Sequence, residues 1–268
     1  MPDNTPSTPI PAATIIIGRN SSSGPEYFMV LRHKEIDFAS GALVFPGGKV
    51  CDGDNNKNIR SYCEGVDSLD DTELGFRVAA IRESFEESGI LLAKKRGGKN
   101  LLSANELASL DHYRKPLNEE KISIGVFLEK EDLVLACNNL VLFAHWITPE
   151  MMPKRFDTRF YVAAAPVGQI GVHDGKESVD SKWLTAEQII NDEKTGKYNV
   201  IFPTRMNILK LKKNKTIEDL LYKANSEKII TVLPKLKEGK SGLVLCIPEE
   251  AGYDITEEPI ENILKTHK

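Results

Sequence analysis

Apolar residues in the first 45 positions form short runs that are separated by polar residues, glycine and proline. Runs of this kind, bounded by turn-forming residues, are typical of β-strands. The predicted strands span residues 12–18, 27–31 and 42–45. The third run ends at Pro46-Gly47-Gly48, where proline removes a backbone donor and glycine permits a tight turn.

Further along, the apolar period changes from that of a strand to that of a helix. The apolar positions are Leu74, Val78, Ile81 and Phe85, at spacings of four, three and four residues. This spacing predicts a helix with one buried face. Ser68 and Asp71 predict a capping box at its start, and Gly89 predicts its end.

The rest of the chain contains further runs of both periods. Predicted helices span 105–110, 119–131, 186–191, 206–212 and 216–222, and predicted strands span 140–147, 159–165 and 178–184. The last two apolar runs, at 229–233 and 243–247, predict an added hairpin.

Composition and charge exclude several classes of protein. The chain has 268 residues, 41% of them hydrophobic, which suffices for a full core without disulfides or metal clips. Its net charge of −4 and its dispersed basic residues argue against binding to long nucleic acid. The four cysteines form no CxxC pair, so we expect free thiols in a reducing compartment. No apolar run spans a membrane and no signal peptide is apparent, which predicts a soluble, cytoplasmic protein.

The predicted helix carries three glutamates on the face opposite its apolar residues. Glu83, Glu86 and Glu87 lie within roughly 100° of one another around the helix axis. Like charges at these spacings repel one another, and Arg82 neutralises only part of the charge. Oxygen ligands without histidine or cysteine suit Mg²⁺ or Mn²⁺, the ions used in phosphoryl transfer. The alternative is an acidic helix face that is merely solvated.

A glycine-containing loop upstream favours the metal site over the solvated face. Gly47 and Gly48 follow a strand and a proline, and Asp54 stands six residues after Gly48. The loop and the helix together resemble the Nudix box, in which a glycine and an acid precede a helix with the pattern RE-U-x-EE-x-G-U, where U is a bulky aliphatic residue. Arg82 through Ile90 fit this pattern, except that Ser84 replaces an aliphatic residue. Asp54 also replaces the usual glutamate.

A third departure is that the box is interrupted by a polar loop at about 55–71, which can loop out because closure entropy grows slowly with length. The resemblance implies an α+β fold, the Nudix α/β/α sandwich with a mixed sheet and a C-terminal helix and hairpin extension. We therefore expect a flexible N-terminus at 1–11, a hydrolase domain at 12–212, and an extension at 213–268 that packs on it.

The interrupted box, together with the segments Phe45-Pro46-Gly47-Gly48 and Arg155 to Tyr161, is similar to the coenzyme A diphosphatase branch of this family, typified by nucleoside diphosphate-linked moiety X motif 19 proteins. This implies metal-dependent hydrolysis of coenzyme A or acyl-coenzyme A to 3′,5′-ADP and a 4′-phosphopantetheine. Two alternatives stay open. One is an ADP-ribose or nucleotide-sugar diphosphatase, and the other is a Nudix-fold binding module without activity.

By this resemblance, Glu86 and Glu87 would bind Mg²⁺ or Mn²⁺, and Glu83 would either join them or act as the base. Arg82 would lock the helix to the glycine loop by pairing with a carboxylate. Gly47 and Gly48 would let the backbone approach the substrate.

Residues outside the box have expected roles as well. Glu177, six residues before Trp183, is a candidate for a further metal ligand, although a surface acid is the alternative. A coenzyme A substrate carries a 3′-phosphate, for which an arginine fork is the natural partner. Arg155 and Arg159 are the candidates, with Arg205 also available.

Overall fold

The computed structural model describes residues 6–33, 39–239 and 242–265. The strands are β1 (Ile10–Ser21), β2 (Gly24–Arg32), β3 (Leu43–Val44), β4 (Gly47–Lys49), β5 (Ala93–Lys95), β6 (Leu133–Leu135), β7 (Val141–Ile147), β8 (Phe156–Ala164), β9 (Ser178–Thr185), β10 (Thr231–Val232), β11 (Lys235–Gly239), β12 (Gly242–Cys246) and β13 (Glu257–Pro259). The helices are α1 (Asp71–Ser88), α2 (Ala104–Ala108), α3 (Arg114–Asn118), α4 (Ile124–Glu131), α5 (Ala186–Lys194), α6 (Phe202–Leu211), α7 (Ile217–Ser226) and α8 (Ile260–Lys265). Within this described part, no helix is both long and apolar enough to cross a bilayer.

A mixed eight-stranded sheet forms the centre of the fold. Its main path runs β10-β7-β8-β1-β2-β3, with β4 paired to β1 and β9 paired to β2. β1 and β8 are parallel, whereas β1 and β2 are antiparallel. Helices cover both faces, so the predicted α+β sandwich with a mixed sheet is confirmed.

The alternation of side chains along β1 separates two hydrophobic cores. Ala13, Ile15 and Ile17 face α1 and share a core with its apolar residues. Ile16 faces the other way and packs in a second core with α6 and α7. Successive side chains of a strand point to opposite faces, so a single apolar run supplies both layers of the sandwich.

The first turn of α1 differs from the prediction. Asp70, not Ser68, is the N-cap, and its carboxylate accepts a hydrogen bond from the Glu73 backbone N–H at 2.7 Å. The predicted end is confirmed, since Gly89 takes the left-handed conformation (φ 67°) that most side chains avoid.

The segment that interrupts the box was predicted to be a surface loop, and this is wrong in part. It contains a short 3₁₀ turn at Ile59–Tyr62, shortly after another at Asp52–Asn55, and Ile59 and Val66 are buried in the core beside α1. The Arg60 guanidinium donates to the Val66 and Leu69 carbonyl oxygens at 2.6 and 2.9 Å. Isolated apolar residues in a polar stretch thus anchor the insertion to the domain.

The C-terminal extension is organised differently from the prediction. The run at 229–233 is not part of a hairpin, because β10 joins the central sheet parallel to β7. The hairpin is formed by β11 and β12, and β13 extends it to three strands. The helix predicted at 216–222 is α7, whose N-cap is Thr216, since the Thr216 hydroxyl accepts from the Asp219 N–H.

Two other boundaries differ from the prediction. The helix predicted at 119–131 begins only at Ile124, after Ser123 as N-cap. β1 begins at Ile10, so the end of the predicted N-terminal lead-in pairs with β8. Residues 1–5 of that lead-in lie outside the described residues.

The cap assignment predicts a difference between two neighbouring variants. Asp70→Ala should lower the free energy of unfolding by about 1 kcal/mol, because the Glu73 N–H loses its partner. Ser68→Ala is the matched control and should change it by less than about 0.5 kcal/mol. Urea denaturation followed by circular dichroism measures both. Equal losses in the two variants would contradict the assignment.

Candidate active site

Helix α1 is held at both ends. Near its N-terminus, the Glu73 carboxylate accepts from Arg77 (2.8 Å) and from the Tyr161 hydroxyl (3.1 Å), and it also pairs with Arg159. Near its C-terminus, the buried Ser84 hydroxyl donates to the Ile90 carbonyl oxygen at 2.8 Å. A bulky aliphatic residue at position 84 could not make this bond. The serine that departs from the family pattern therefore stabilises the end of α1.

The Arg82 guanidinium lies buried at the centre of the box. Its Nε and Nη2 donate to the two Asp54 carboxylate oxygens at 2.9 and 3.0 Å. Its Nη1 contacts Glu83 at 2.8 Å and Glu86 at 3.1 Å, and Nη2 also donates to the Lys49 carbonyl oxygen at 2.8 Å. The expected pairing of Arg82 with a carboxylate is therefore present, and Asp54 orients Arg82.

The backbone of β4 lies directly against the acidic face of α1. The Gly47 N–H donates to Glu87 Oε2 at 3.1 Å. A Cβ atom added at Gly48 would overlap the Glu83 carboxylate. Only glycine therefore permits this approach, and the structure brings Gly47, Gly48 and the three glutamates together as the sequence predicted.

Burial and mutual repulsion make these carboxylates hard to ionise. Burial, reinforced by the Glu83 charge, raises the pKa of Glu87 well above its usual value, against the effects of Arg32 and the Gly47 N–H. Burial likewise raises the pKa of Glu83, although Arg82 lowers it. Burial raises the pKa of Glu86 to about 8, with Arg82 opposing and Glu83 adding to the shift.

The charge balance of the site suits a dication. Asp54 and the three glutamates face two guanidinium groups, those of Arg82 and Arg32, the latter 3.9 Å from Glu87. Full ionisation would give these six groups a net charge of −2, and the donors are all oxygen, as Mg²⁺ and Mn²⁺ prefer. Among the described residues, no three acidic, histidine or cysteine side chains already converge on one point. Ligation by Glu83 and Glu86 would require them to turn away from Arg82.

Glu177 lies in the same cleft as the box glutamates. Its charge contributes to the raised pKa values of Glu83 and Glu87, and Asn118 donates to its Oε1 at 3.2 Å. The cleft has a volume of about 760 Å³, within the range of small-molecule sites. Glu83, Glu86 and Glu177 line it together with Gly47 and Gly48.

The arginines expected to bind a 3′-phosphate do not line this cleft. The Arg155 guanidinium donates to the Thr148 and Ser7 carbonyl oxygens, so it holds the base of the β7–β8 connection. Arg159 points toward Glu73 of α1, because strand alternation directs Thr158 and Phe160, its neighbours in sequence, into the cleft instead. Arg205 pairs with Glu258 at 3.0 Å. The substrate-binding assignments of Arg155 and Arg159 are therefore corrected.

Other cations line the cleft that the sequence reasoning did not single out. Arg32, Lys49 and Lys154 are among its lining residues. For Lys49 the sequence does contain a signal, because this residue directly follows the glycines of the box. Lys154 and Arg32 lie far from the box in sequence and reach the cleft only through the pairing of β1 with β8 and β2.

The close approach at Gly48 predicts the effect of one methyl group. Gly48→Ala should reduce the turnover of a diphosphate substrate by at least about tenfold, because the added Cβ displaces the Glu83 carboxylate. Gly125→Ala, in α4, is the control, since the nearest atom to its Cβ would be 3.9 Å away. Steady-state kinetics at saturating metal measures both, and an unchanged rate in Gly48→Ala would contradict the geometry.

The raised pKa of Glu86 predicts how the stability of the metal-free protein depends on pH. A folded-state pKa above the unfolded value means that the folded chain binds the extra proton, so stability falls as pH rises from about 4.5 to about 8. Glu86 should therefore contribute a decrease in melting temperature across this window, and Mg²⁺ should raise the melting temperature more at pH 8 than at pH 5. Glu86→Gln should flatten this dependence relative to Glu129→Gln, a control on the exposed side of α4. Parallel curves for the two variants would argue against a buried, protonated Glu86.

Comparison with known proteins gives consistent matches. The family model of the NUDT19 Nudix domain matches residues 63–211, which is more than half of the chain. Putative nudix hydrolase 7 of Caenorhabditis elegans is 25% identical over 244 residues, covering 90% of this chain and 74% of that protein. The acyl-coenzyme A diphosphatase NUDT19 of Xenopus laevis is 23% identical over 277 residues, covering 88% and 73%.

A solved structure shares the fold. A NUDIX hydrolase from Alicyclobacillus acidocaldarius superposes with a TM-score of 0.66 at 24% identity, covering 81% of this chain and 96% of that one. At this identity the likeness concerns the fold alone.

Proposed function

This chain belongs to the Nudix hydrolases, in the branch of NUDT19-like domains, and we propose that it cleaves the diphosphate linkage of coenzyme A or an acyl-coenzyme A in a metal-dependent reaction. The products would be 3′,5′-ADP and 4′-phosphopantetheine or its acyl derivative. The observation that carries the proposal is the cluster of Glu83, Glu86 and Glu87 against Gly47 and Gly48 at one end of a large cleft.

The choice of substrate rests on two supports. The Xenopus relative, similar over most of its length, is named an acyl-coenzyme A diphosphatase. The cleft also combines the cations Arg32, Lys49 and Lys154 with many apolar lining residues. This combination suits a substrate with an anionic diphosphate and a long, weakly polar arm, which ADP-ribose lacks.

In the proposed mechanism, Glu86 and Glu87 would hold Mg²⁺ or Mn²⁺, and Glu83 would either join them or accept a proton from the attacking water. The dication would supply charge neutralisation at the phosphate oxygens and a more acidic water. The water oxygen forms a bond to phosphorus, the P–O bond of the anhydride breaks, and the proton passes to a carboxylate of the site. Asp54 and Arg82 hold the glutamates in position beside the β4 backbone. Lys49 and Arg32 offset the charge of the substrate.

A panel of diphosphates tests the proposal. Coenzyme A, decanoyl-coenzyme A, ADP-ribose and NADH are incubated with the enzyme and Mg²⁺ or Mn²⁺, and the products are separated by chromatography. We expect release of 3′,5′-ADP from the coenzyme A compounds, with kcat/KM at least about tenfold above that for ADP-ribose. A higher kcat/KM for ADP-ribose would show that ADP-ribose, not coenzyme A, is the substrate. If none of the compounds were cleaved in a metal-dependent way, the proposed catalytic function would be wrong.

The same panel is run with Glu86→Gln, which keeps the shape of the side chain but removes its charge. Loss of a ligand that supports several kcal/mol of transition-state stabilisation should lower the rate by at least about 100-fold. Glu129→Gln, on an exposed face of another helix, should retain the full rate. Full activity in Glu86→Gln would remove the site assignment.

A further inference from the structure

The floor of the cleft runs across the sheet, away from the box glutamates. The register aligns Lys49 of β4 with Ala12 of β1, Ala12 with Thr158 of β8, and Thr158 with Trp146 of β7. Trp146 in turn lies opposite Val232 of β10. Directly paired residues project from the same face, so these side chains form one continuous row.

This row gives the cleft its length. From β4 to β7 there are three inter-strand spacings of about 4.8 Å, which makes about 14 Å, and Pro234, which follows β10, extends the lining further. The near end carries Lys49 and the carboxylates, whereas the middle is covered by aromatic side chains. These are Trp146, Phe156, Phe160 and Phe202.

The far end is closed by the C-terminal extension rather than by the hydrolase domain predicted from the box. Its lining side chains are wholly apolar and come from the β10–β11 connection, β12 and α8. They are Pro234, Leu245, Ile260 and Ile263. Leu245 and Ile263 are buried in the same core as Trp146.

Polar contacts hold this apolar end in place. The Trp146 indole N–H donates to the Tyr253 hydroxyl at 2.9 Å, and that hydroxyl donates to Asn207 Oδ1 at 2.8 Å. Arg205 of α6 also pairs with Glu258 of β13. The extension is thus tied to the sheet and to α6 by buried groups, which makes it a fixed wall of the cleft.

We infer that Leu245, Ile260 and Ile263 form the subsite for the thioester-linked acyl group of the substrate and set which chain lengths are accepted. This inference rests on the proposed function. With the diphosphate at β4, an extended pantetheine arm, about as long as four extended residues or roughly 14 Å, carries the sulfur across the floor to β7. An acyl group attached there enters the apolar end.

The chemistry of the wall favours an acyl chain over the adenine base. An adenine ring needs hydrogen-bond partners for its ring nitrogens and amino group when it is buried. Proline, leucine and isoleucine side chains offer none, whereas they match the methylene groups of an acyl chain. The apolar end of the cleft is therefore specific for the part of the substrate farthest from the diphosphate.

Two substitutions at Ile263 change the size of the proposed subsite in opposite directions. The measured quantity is the ratio of kcat/KM for decanoyl-coenzyme A to kcat/KM for coenzyme A, from the release of 3′,5′-ADP, which counts diphosphate cleavage for either substrate. Ile263→Trp should lower this ratio at least tenfold. Ile263→Ala should shift the preferred acyl chain toward greater length in a series from acetyl to palmitoyl.

Matched controls separate the subsite from general effects of substitution in the extension. Ile255→Trp places the same ring at a partly exposed position, and Ile247→Ala makes the same truncation at a buried position that does not line the cleft. Both should keep the wild-type ratio and chain-length preference. Thermal melts show whether each variant is folded. If Ile263→Trp does not fold, the chain-length preferences of Ile263→Ala and Leu245→Ala test the subsite instead.

The outcomes distinguish the inference from the proposed function. Wild-type ratios and chain-length profiles in the folded Ile263 variants would overturn the subsite while leaving the diphosphatase in place. Equal losses on coenzyme A and on all its thioesters would also overturn it, because the far end would then hold a part common to every substrate. Failure of the wild-type enzyme to cleave any coenzyme A compound would overturn the proposed function, and the subsite with it.

Discussion

The buried guanidinium of Arg82 connects the parts of the box that the sequence separates. Its donors reach Asp54 in the 3₁₀ turn, the Lys49 carbonyl oxygen in β4, and Glu83 and Glu86 on its own helix. A planar group with five N–H donors is suited to joining several acceptors at once. Without it, four carboxylates would repel one another in a poorly solvated place, and α1 would lose its contact with the Lys49 carbonyl oxygen of β4.

This interaction also explains how the box tolerates an insertion. The catalytic geometry depends on contacts across space between Asp54 and Arg82, not on the length of the chain between them. The insertion has its own anchors, with Ile59 and Val66 in the core and Arg60 bound to backbone carbonyl oxygens. An acid shorter than glutamate at position 54 serves this purpose, because its two oxygens need only meet Arg82.

The same sheet that carries the carboxylates at one edge supplies the floor of the cleft. β1 pairs with β4 on one side and with β8 on the other, so the box is joined to a row of side chains that ends at the C-terminal extension. The residues proposed to carry the reaction and those proposed to select the substrate therefore belong to different segments of the chain. The three glutamates lie within the family match at residues 63–211, whereas the apolar end of the cleft lies beyond it.

The sequence by itself determined the strands of the sandwich core, the helix α1 with its end at Gly89, and the acidic face opposite the glycines. These features follow from the local period of apolar residues and from the conformational freedom of glycine. Both are properties of residues that are close together in the sequence. Tertiary structure decided what depends on pairing between distant segments. It directed Arg159 toward Glu73 and away from the cleft, because the register and face of β8 are set by β1 and β7. It also placed β10 in the central sheet and Leu245 of the apolar run at 243–247 in the wall of the cleft. An apolar run indicates that its residues are buried, but it does not determine which segment they pack against.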